Sequence, residues 1–163
     1  MTSLTITDPG LPFETFMREA LTEAARAATA GEVPVGAVLV LDGLVLARAC
    51  NTREAEQNPL GHAELNVLTA AAERLRDWRL TGTTLYCTVE PCVMCAGALV
   101  HARVQTVVFG CRDQRWGGLR SLYRLGEDER LNHRLEVIEG VLEEECRSMI
   151  VDFFRAKRNK GKA

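Results

Sequence analysis

The stretch Thr84-Leu-Tyr-Cys-Thr-Val-Glu-Pro-Cys-Val-Met-Cys-Ala-Gly-Ala-Leu-Val-His-Ala-Arg-Val-Gln-Thr-Val-Val-Phe-Gly110 decides the fold. Thr84 to Val89 is an apolar run with strand character, closed by Glu90-Pro91. From Pro91 an Ala- and Leu-rich helix runs to about Ala102, because Pro is suited to a first helical turn and Ala and Leu propagate it. Val104 to Gly110 then reads as a buried strand. Strand, short helix and strand in this order predict one right-handed crossover between parallel strands.

Working outward, Val35 to Leu41 and Leu44 to Ala49 flank Asp42-Gly43, a strong hairpin signal, since both turn positions need positive φ. Apolar residues Phe13, Phe16, Met17, Ala20, Leu21 and Ala24 recur at helical spacing between Pro12 and Ala30. Asn58-Pro59-Leu60-Gly61 breaks the chain before a helix from about His62 to Arg76. Beyond Gly110, the polar, Gly-containing Arg112 to Arg120 reads as an exposed loop, and Leu135 to Ile138 as an edge strand. Val141 to Arg158 forms a last helix with Leu142, Cys146, Met149, Ile150 and Phe153 on one stripe. The expected architecture is an α/β three-layer α/β/α sandwich, a mixed sheet of about five strands with helices on both faces. It is expected to form one domain over residues 1–163, with a core from about 13 to 158.

Composition is that of a globular protein: 163 residues, 47 % apolar and 26 % charged. No run approaches the ~18 apolar residues of a membrane span. The first dozen residues carry no Lys or Arg, as a secretory signal would require, so a cytoplasmic location is expected. The net charge of −2 is made of +5 from Phe153 onward and −7 elsewhere, and all three lysines lie in the last seven residues. On charge alone, a solvated terminus explains that tail more simply than a polyanion contact.

In a reducing compartment, six cysteines point to burial or metal binding rather than disulfides. Cys50, Cys87, Cys111 and Cys146 close or interrupt apolar runs and read as small buried residues. Cys92 and Cys95 differ. Two thiols at i and i+3 share a helix face and can reach one ion, although a redox dithiol and coincidence also fit C-x-x-C. His62, at the start of the other helix, adds a third donor. Two Cys and one His fall one short of the four that close a structural zinc site, which leaves the fourth position to water, as in a catalytic site. Helix N-termini favour thiolates there, and Glu64 is placed to move a proton. One geometric condition attaches to Glu64. Positions i and i+2 diverge by about 200° on a regular helix, so His62 must lie at the very first turn.

His62-Ala63-Glu64 followed by Pro91-Cys92-x-x-Cys95 resembles the H-x-E…P-C-x-x-C signature of the zinc-dependent nucleobase deaminases. Within that superfamily the chain looks most like bacterial tRNA-specific adenosine deaminases. The likeness rests on Glu32-Val-Pro-Val-Gly-Ala-Val-Leu-Val40, Thr84-Leu-Tyr86, Glu90-Pro-Cys-Val-Met-Cys-Ala-Gly-Ala98, Val107-Val-Phe-Gly110, Arg112-Asp113 and Leu131-Asn-His-Arg134, and it covers roughly 13 to 158. The resemblance implies one Zn2+ per subunit on His62, Cys92 and Cys95. It implies hydroxide attack at C6 of the wobble adenosine in an arginine tRNA anticodon stem-loop, with Glu64 as proton shuttle. It also implies substrate contacts at Asn51, Val33 and Ala63, Asp113 near the flanking nucleotides, and a homodimer.

Phe153-Phe154-Arg155-x-Lys157-Arg158 interleaves aromatics with charge, and Phe154 is the better candidate for stacking on RNA. Arg112, Arg115, Arg120 and Arg124 are candidates to extend that surface, and Trp116 either stacks on substrate or caps the core. Asn58 to Gly61, Cys111 and Trp116 to Arg120 depart from the family's usual residues and shape the pocket. Three rival functions remain. A free-base deaminase acting on cytosine or guanine needs no basic tail, a structural zinc or RNA-binding module does not need Glu64, and a thiol oxidoreductase has no use for His62.

Overall fold

A computed structural model describes residues 13–162, so the readings of Pro12 and of the first dozen residues lie outside it. Helix α1 (Phe13–Thr29) buries Phe13, Phe16, Met17, Ala20, Leu21, Ala24 and Ala27, the predicted stripe continued by one turn. Strands β1 (Gly36–Leu41) and β2 (Leu44–Cys50) pair antiparallel from Leu41 opposite Leu44. Asp42 and Gly43 both have positive φ, 51° and 75°, as the tight hairpin demands. Leu39 faces Ala47 while Val40 faces Val45, so Leu46 is an extra residue that forms a bulge. The Arg74 guanidinium donates to the Leu46 carbonyl at 2.9 Å.

Helix α2 (Ala63–Leu75) is followed by β3 (Thr84–Val89), α3 (Val93–His101) and β4 (Thr106–Cys111), and β3 and β4 are parallel as expected. A short 3-10 turn at Leu125–Glu127, not foreseen from sequence, precedes the four-residue edge strand β5 (Glu136–Glu139). Helix α4 (Glu143–Lys160) ends the described chain. The sheet order is β2-β1-β3-β4-β5, with β1 antiparallel to both neighbours and β5 parallel to β4.

Alternation along the strands sends Leu39, Leu85, Val107 and Phe109 to a core shared with α2 and α3. Val38, Val40, Tyr86 and Val108 pack with Phe13, Phe16 and Met17 of α1 and with Cys146 of α4 on the other face. That is the three-layer arrangement expected. Two readings are corrected. The terminal basic residues are solvent-exposed, as expected on charge alone, but they continue α4 by two residues past the expected end: Lys157, Arg158 and Lys160 occupy its last turn, where they favour the helix dipole, and Glu143, Glu144 and Glu145 occupy the first. The 112–120 segment is not simply exposed, because Gly117, Gly118 and Leu119 are buried. No helix of the described residues is long and apolar enough to cross a membrane.

Candidate active site

His62 and Cys92 are the N-cap residues of α2 and α3, both with extended backbone, and neither side chain caps its own helix. The two side chains are therefore free to meet in front of the helix ends. His62 Nδ1 lies 3.7 Å from Cys92 Sγ and 3.5 Å from Cys95 Sγ, and all three donor atoms lie within 4.8 Å of one another. A zinc tetrahedron with Zn–S near 2.3 Å and Zn–N near 2.0 Å has N···S edges of about 3.6 Å. The donor set fits such an ion in chemistry and in size. The extended conformation of His62 also removes the i, i+2 obstacle, since the helical angle begins only at Ala63.

The protons of the three donors are unevenly held. A hydrogen bond from Cys95 holds the Cys92 thiol down, to about 4, against the opposing effect of burial, and His62 adds to the lowering. The same contact, with burial, raises Cys95. His62 is raised by its hydrogen bond to Cys92. A metal ion held by these three donors would displace their protons. Glu64 is buried at 4 % exposure, and that burial raises its pKa above the usual carboxylate value, as does the charge of Cys92. A carboxyl so placed holds a proton more readily than an exposed one and can pass it on.

These groups open into a cavity of about 1200 Å³. His62, Glu64, Cys92, Asn51, Val33, Ala63, Asp113 and Phe154 all line it, while fully buried Cys95 sits behind Cys92. Trp116 also lines the cavity at 66 % exposure and so does not cap the core. The Asp113 side chain is engaged by its own turn, its Oδ1 accepting from the Arg115 and Trp116 amides at 2.9 and 3.3 Å.

Of the candidate RNA arginines, Arg112 and Arg115 border the cavity. Arg124 pairs with Glu127. Arg120 is a correction. Its guanidinium is turned inward to Glu127 (2.9 Å) and the Val137 carbonyl (3.2 Å), where it ties the loop to β5. Among the other cysteines, Cys87, Cys111 and Cys146 are buried, but Cys50 is only half-buried, with Arg26 Nη2 3.8 Å from its sulfur.

Three polar residues of the site carried no role in the sequence reading. Glu32 accepts from Asn51 Nδ2 at 3.2 Å and from the Ala55 amide at 2.6 Å. With a third contact from Nδ2 to the Val33 carbonyl (3.4 Å), the Asn51 amide is fixed with its donors spent and its oxygen left over. Asn66 holds the Cys50 carbonyl and the Thr52 hydroxyl, each at 3.0 Å. Glu90 accepts from Asp113, Leu119, Arg120 and Ser121, and these bonds outweigh the raising effect of burial and lower its pKa. Glu32 and Glu90 do stand inside the family-like stretches of sequence, the one signal that pointed to them.

Residues 12–111 match the model of the cytidine and deoxycytidylate deaminase zinc-binding region, which takes in all three donors and Glu64. The chain belongs to the cytidine and deoxycytidylate deaminase family. Within this family it is 53 % identical over 150 residues to a tRNA-specific adenosine deaminase of Bacillus subtilis, covering 92 % of this chain and 93 % of that one. It is 43 % identical over 147 residues to a tRNA-specific adenosine deaminase of Streptococcus pyogenes, covering 90 % and 86 %. A structure solved in work on A-to-I editing by tRNA:A34 deaminases at the wobble position superposes with a TM-score of 0.80 at 40 % identity, covering 83 % of this chain and 98 % of that one. For a deaminase of this family, a His-Cys-Cys donor set in front of two helix ends is a zinc site, and zinc is its cofactor.

Proposed function

We propose that this chain hydrolytically deaminates the wobble adenosine of a tRNA anticodon loop to inosine, with arginine tRNA as its substrate. The observation that carries this reading is the approach of His62 Nδ1 to both cysteine sulfurs beside buried Glu64, with His62, Glu64 and Cys92 lining one cavity. The identity to relatives named tRNA-specific adenosine deaminases supports RNA over a free base.

His62, Cys92 and Cys95 would hold one zinc per chain, which would lower the pKa of a water from about 15.7 towards 7 and so supply hydroxide at neutral pH. Glu64 accepts one proton of the attacking water and delivers it to the departing amino group. The water oxygen becomes the C6 oxygen of inosine, its second hydrogen stays on the base at N1, and ammonia leaves. Asn51 offers its free amide oxygen to the base, and Val33 and Ala63 supply apolar contact. A base must leave its stack to enter such a cavity. Phe154 stacks beside it, and the basic last turns of α4 neutralise phosphates.

We also infer that the chain acts as a homodimer in the cytoplasm, where its tRNA substrate is found. Sedimentation at micromolar concentration checks the dimer.

The test is inosine formation in an anticodon stem-loop RNA with a wobble adenosine, at fixed salt, for zinc-loaded wild type and Glu64→Ala. Wild type is expected to form inosine, and the variant to keep its zinc while losing about 10²–10⁴-fold in rate. A zinc-loaded wild type without activity on this RNA overturns the proposal and moves the search to free cytosine and guanine.

A further inference from the structure

Glu90 is 2 % exposed, yet among the described residues no arginine or lysine pairs with it. Its charge is met by one segment of backbone. Oε1 accepts the amides of three successive residues, Leu119 (3.1 Å), Arg120 (2.6 Å) and Ser121 (2.9 Å). Oε2 accepts the Asp113 amide at 3.1 Å and the Ser121 hydroxyl. Successive N–H groups converging on one anion form a stable nest. The segment is also stitched to the metal-ligand strand end. Gly118 donates to the Pro91 carbonyl at 2.9 Å, and Gly117 bridges Cys92. The approach is close enough that a Cβ on Gly117 would collide with the Glu90 carboxylate.

Gln114, Arg115 and Trp116, which Glu90 does not grip, face the cavity together with Asp113, whose amide it holds. An exposed Trp beside an arginine is the equipment used on splayed single-stranded nucleotides. We propose that Glu90 is the positioning residue of this wall: it holds the 113–121 loop against the Cys92 segment, so that Arg115 and Trp116 lie where nucleotides flanking the target base must pass. Its carboxylate is consumed by the loop and does not touch substrate. The inference rests on the RNA reading of the cavity for its consequence, but not for the loop geometry.

Glu90→Gln replaces one acceptor oxygen with an NH2 that opposes the amides now pointing at it. Losing charge-assisted hydrogen bonds of this kind is expected to raise KM for the stem-loop RNA about tenfold, with kcat changed less than about threefold. Zinc should stay at one per chain, because the donors do not depend on Glu90. Trypsin should cut after Arg120, whose side chain is only 13 % exposed in the wild type, markedly faster in the variant. Ser121→Ala removes only the hydroxyl contact, so it should move KM and cleavage in the same direction by a smaller factor, and it carries the test alone if Glu90→Gln does not fold. Unchanged KM and unchanged cleavage overturn the proposal, and so does loss of zinc with collapse of kcat. If wild type forms no inosine, the substrate reading falls by itself, and the trypsin comparison still decides for or against Glu90.

Discussion

Two irregular segments wall the cavity, 51–61 before α2 and 112–121 after β4, and each is pinned by one buried glutamate. The two are built differently. Glu32 divides its oxygens, one fixing the Ala55 amide and the other the side chain of Asn51, which faces the cavity. Glu90 spends both oxygens on the backbone and the hydroxyl of its loop and leaves the cavity-facing side chains untouched. The first wall therefore presents a chemically defined group, an amide with its donors committed, and the second presents a shape. Altering Glu32 should change what the cavity recognises. Altering Glu90 should change only where its wall stands.

That contrast can be broken at its common anchor. His62→Ala or exhaustive chelation removes the metal that ties the starts of α2 and α3 together. Activity should vanish, and both segments should become protease-sensitive, as limited proteolysis with a zinc assay would show. Protection of either segment without metal would mean that its glutamate suffices. Next in size, Glu32→Ala removes the partner of the Ala55 amide and one of the two acceptors of Asn51 Nδ2, at a cost of roughly 1–3 kcal/mol in denaturant unfolding. Here kcat should fall with KM little changed, the reverse of the pattern at Glu90. Gly117→Ala forces a methyl into the Glu90 carboxylate from the loop side, so it should reproduce the Glu90→Gln kinetics and cost about 1–3 kcal/mol. The smallest effect belongs to truncation before Lys157. Protection of both walls should be unaltered, while the salt dependence of RNA binding becomes shallower by about 0.7 for each phosphate that the shortened helix no longer neutralises.

The elements and the metal donors were legible in the sequence because their signals are local. The Asp42-Gly43 turn, the α1 stripe and the Cys92-x-x-Cys95 spacing each act over a few residues, and the observed boundaries fall within one or two positions of the expected ones. Glu32 and Glu90 were not legible as site residues, because their partners are mostly backbone amides some 20–30 positions away, and an amide leaves no mark on residue identity. Arg120 misled for a related reason. An arginine in a polar, glycine-containing segment resembles surface, and only the grip of Glu90 on the same residue's amide turns its side chain inward to Glu127.

The bulge at Leu46 has a consequence for how copies of this chain can associate. A sheet edge with a regular row of free amides and carbonyls invites a further strand and, in crowded solution, runaway aggregation. Here the β2 edge is dislocated at Leu46 and the carbonyl of that residue is occupied by Arg74, while the opposite edge, β5, is only four residues long. Among the described residues, neither margin offers a long, regular template for sheet growth. Any association between copies of this chain is therefore expected to run through helices and loops rather than through added strands.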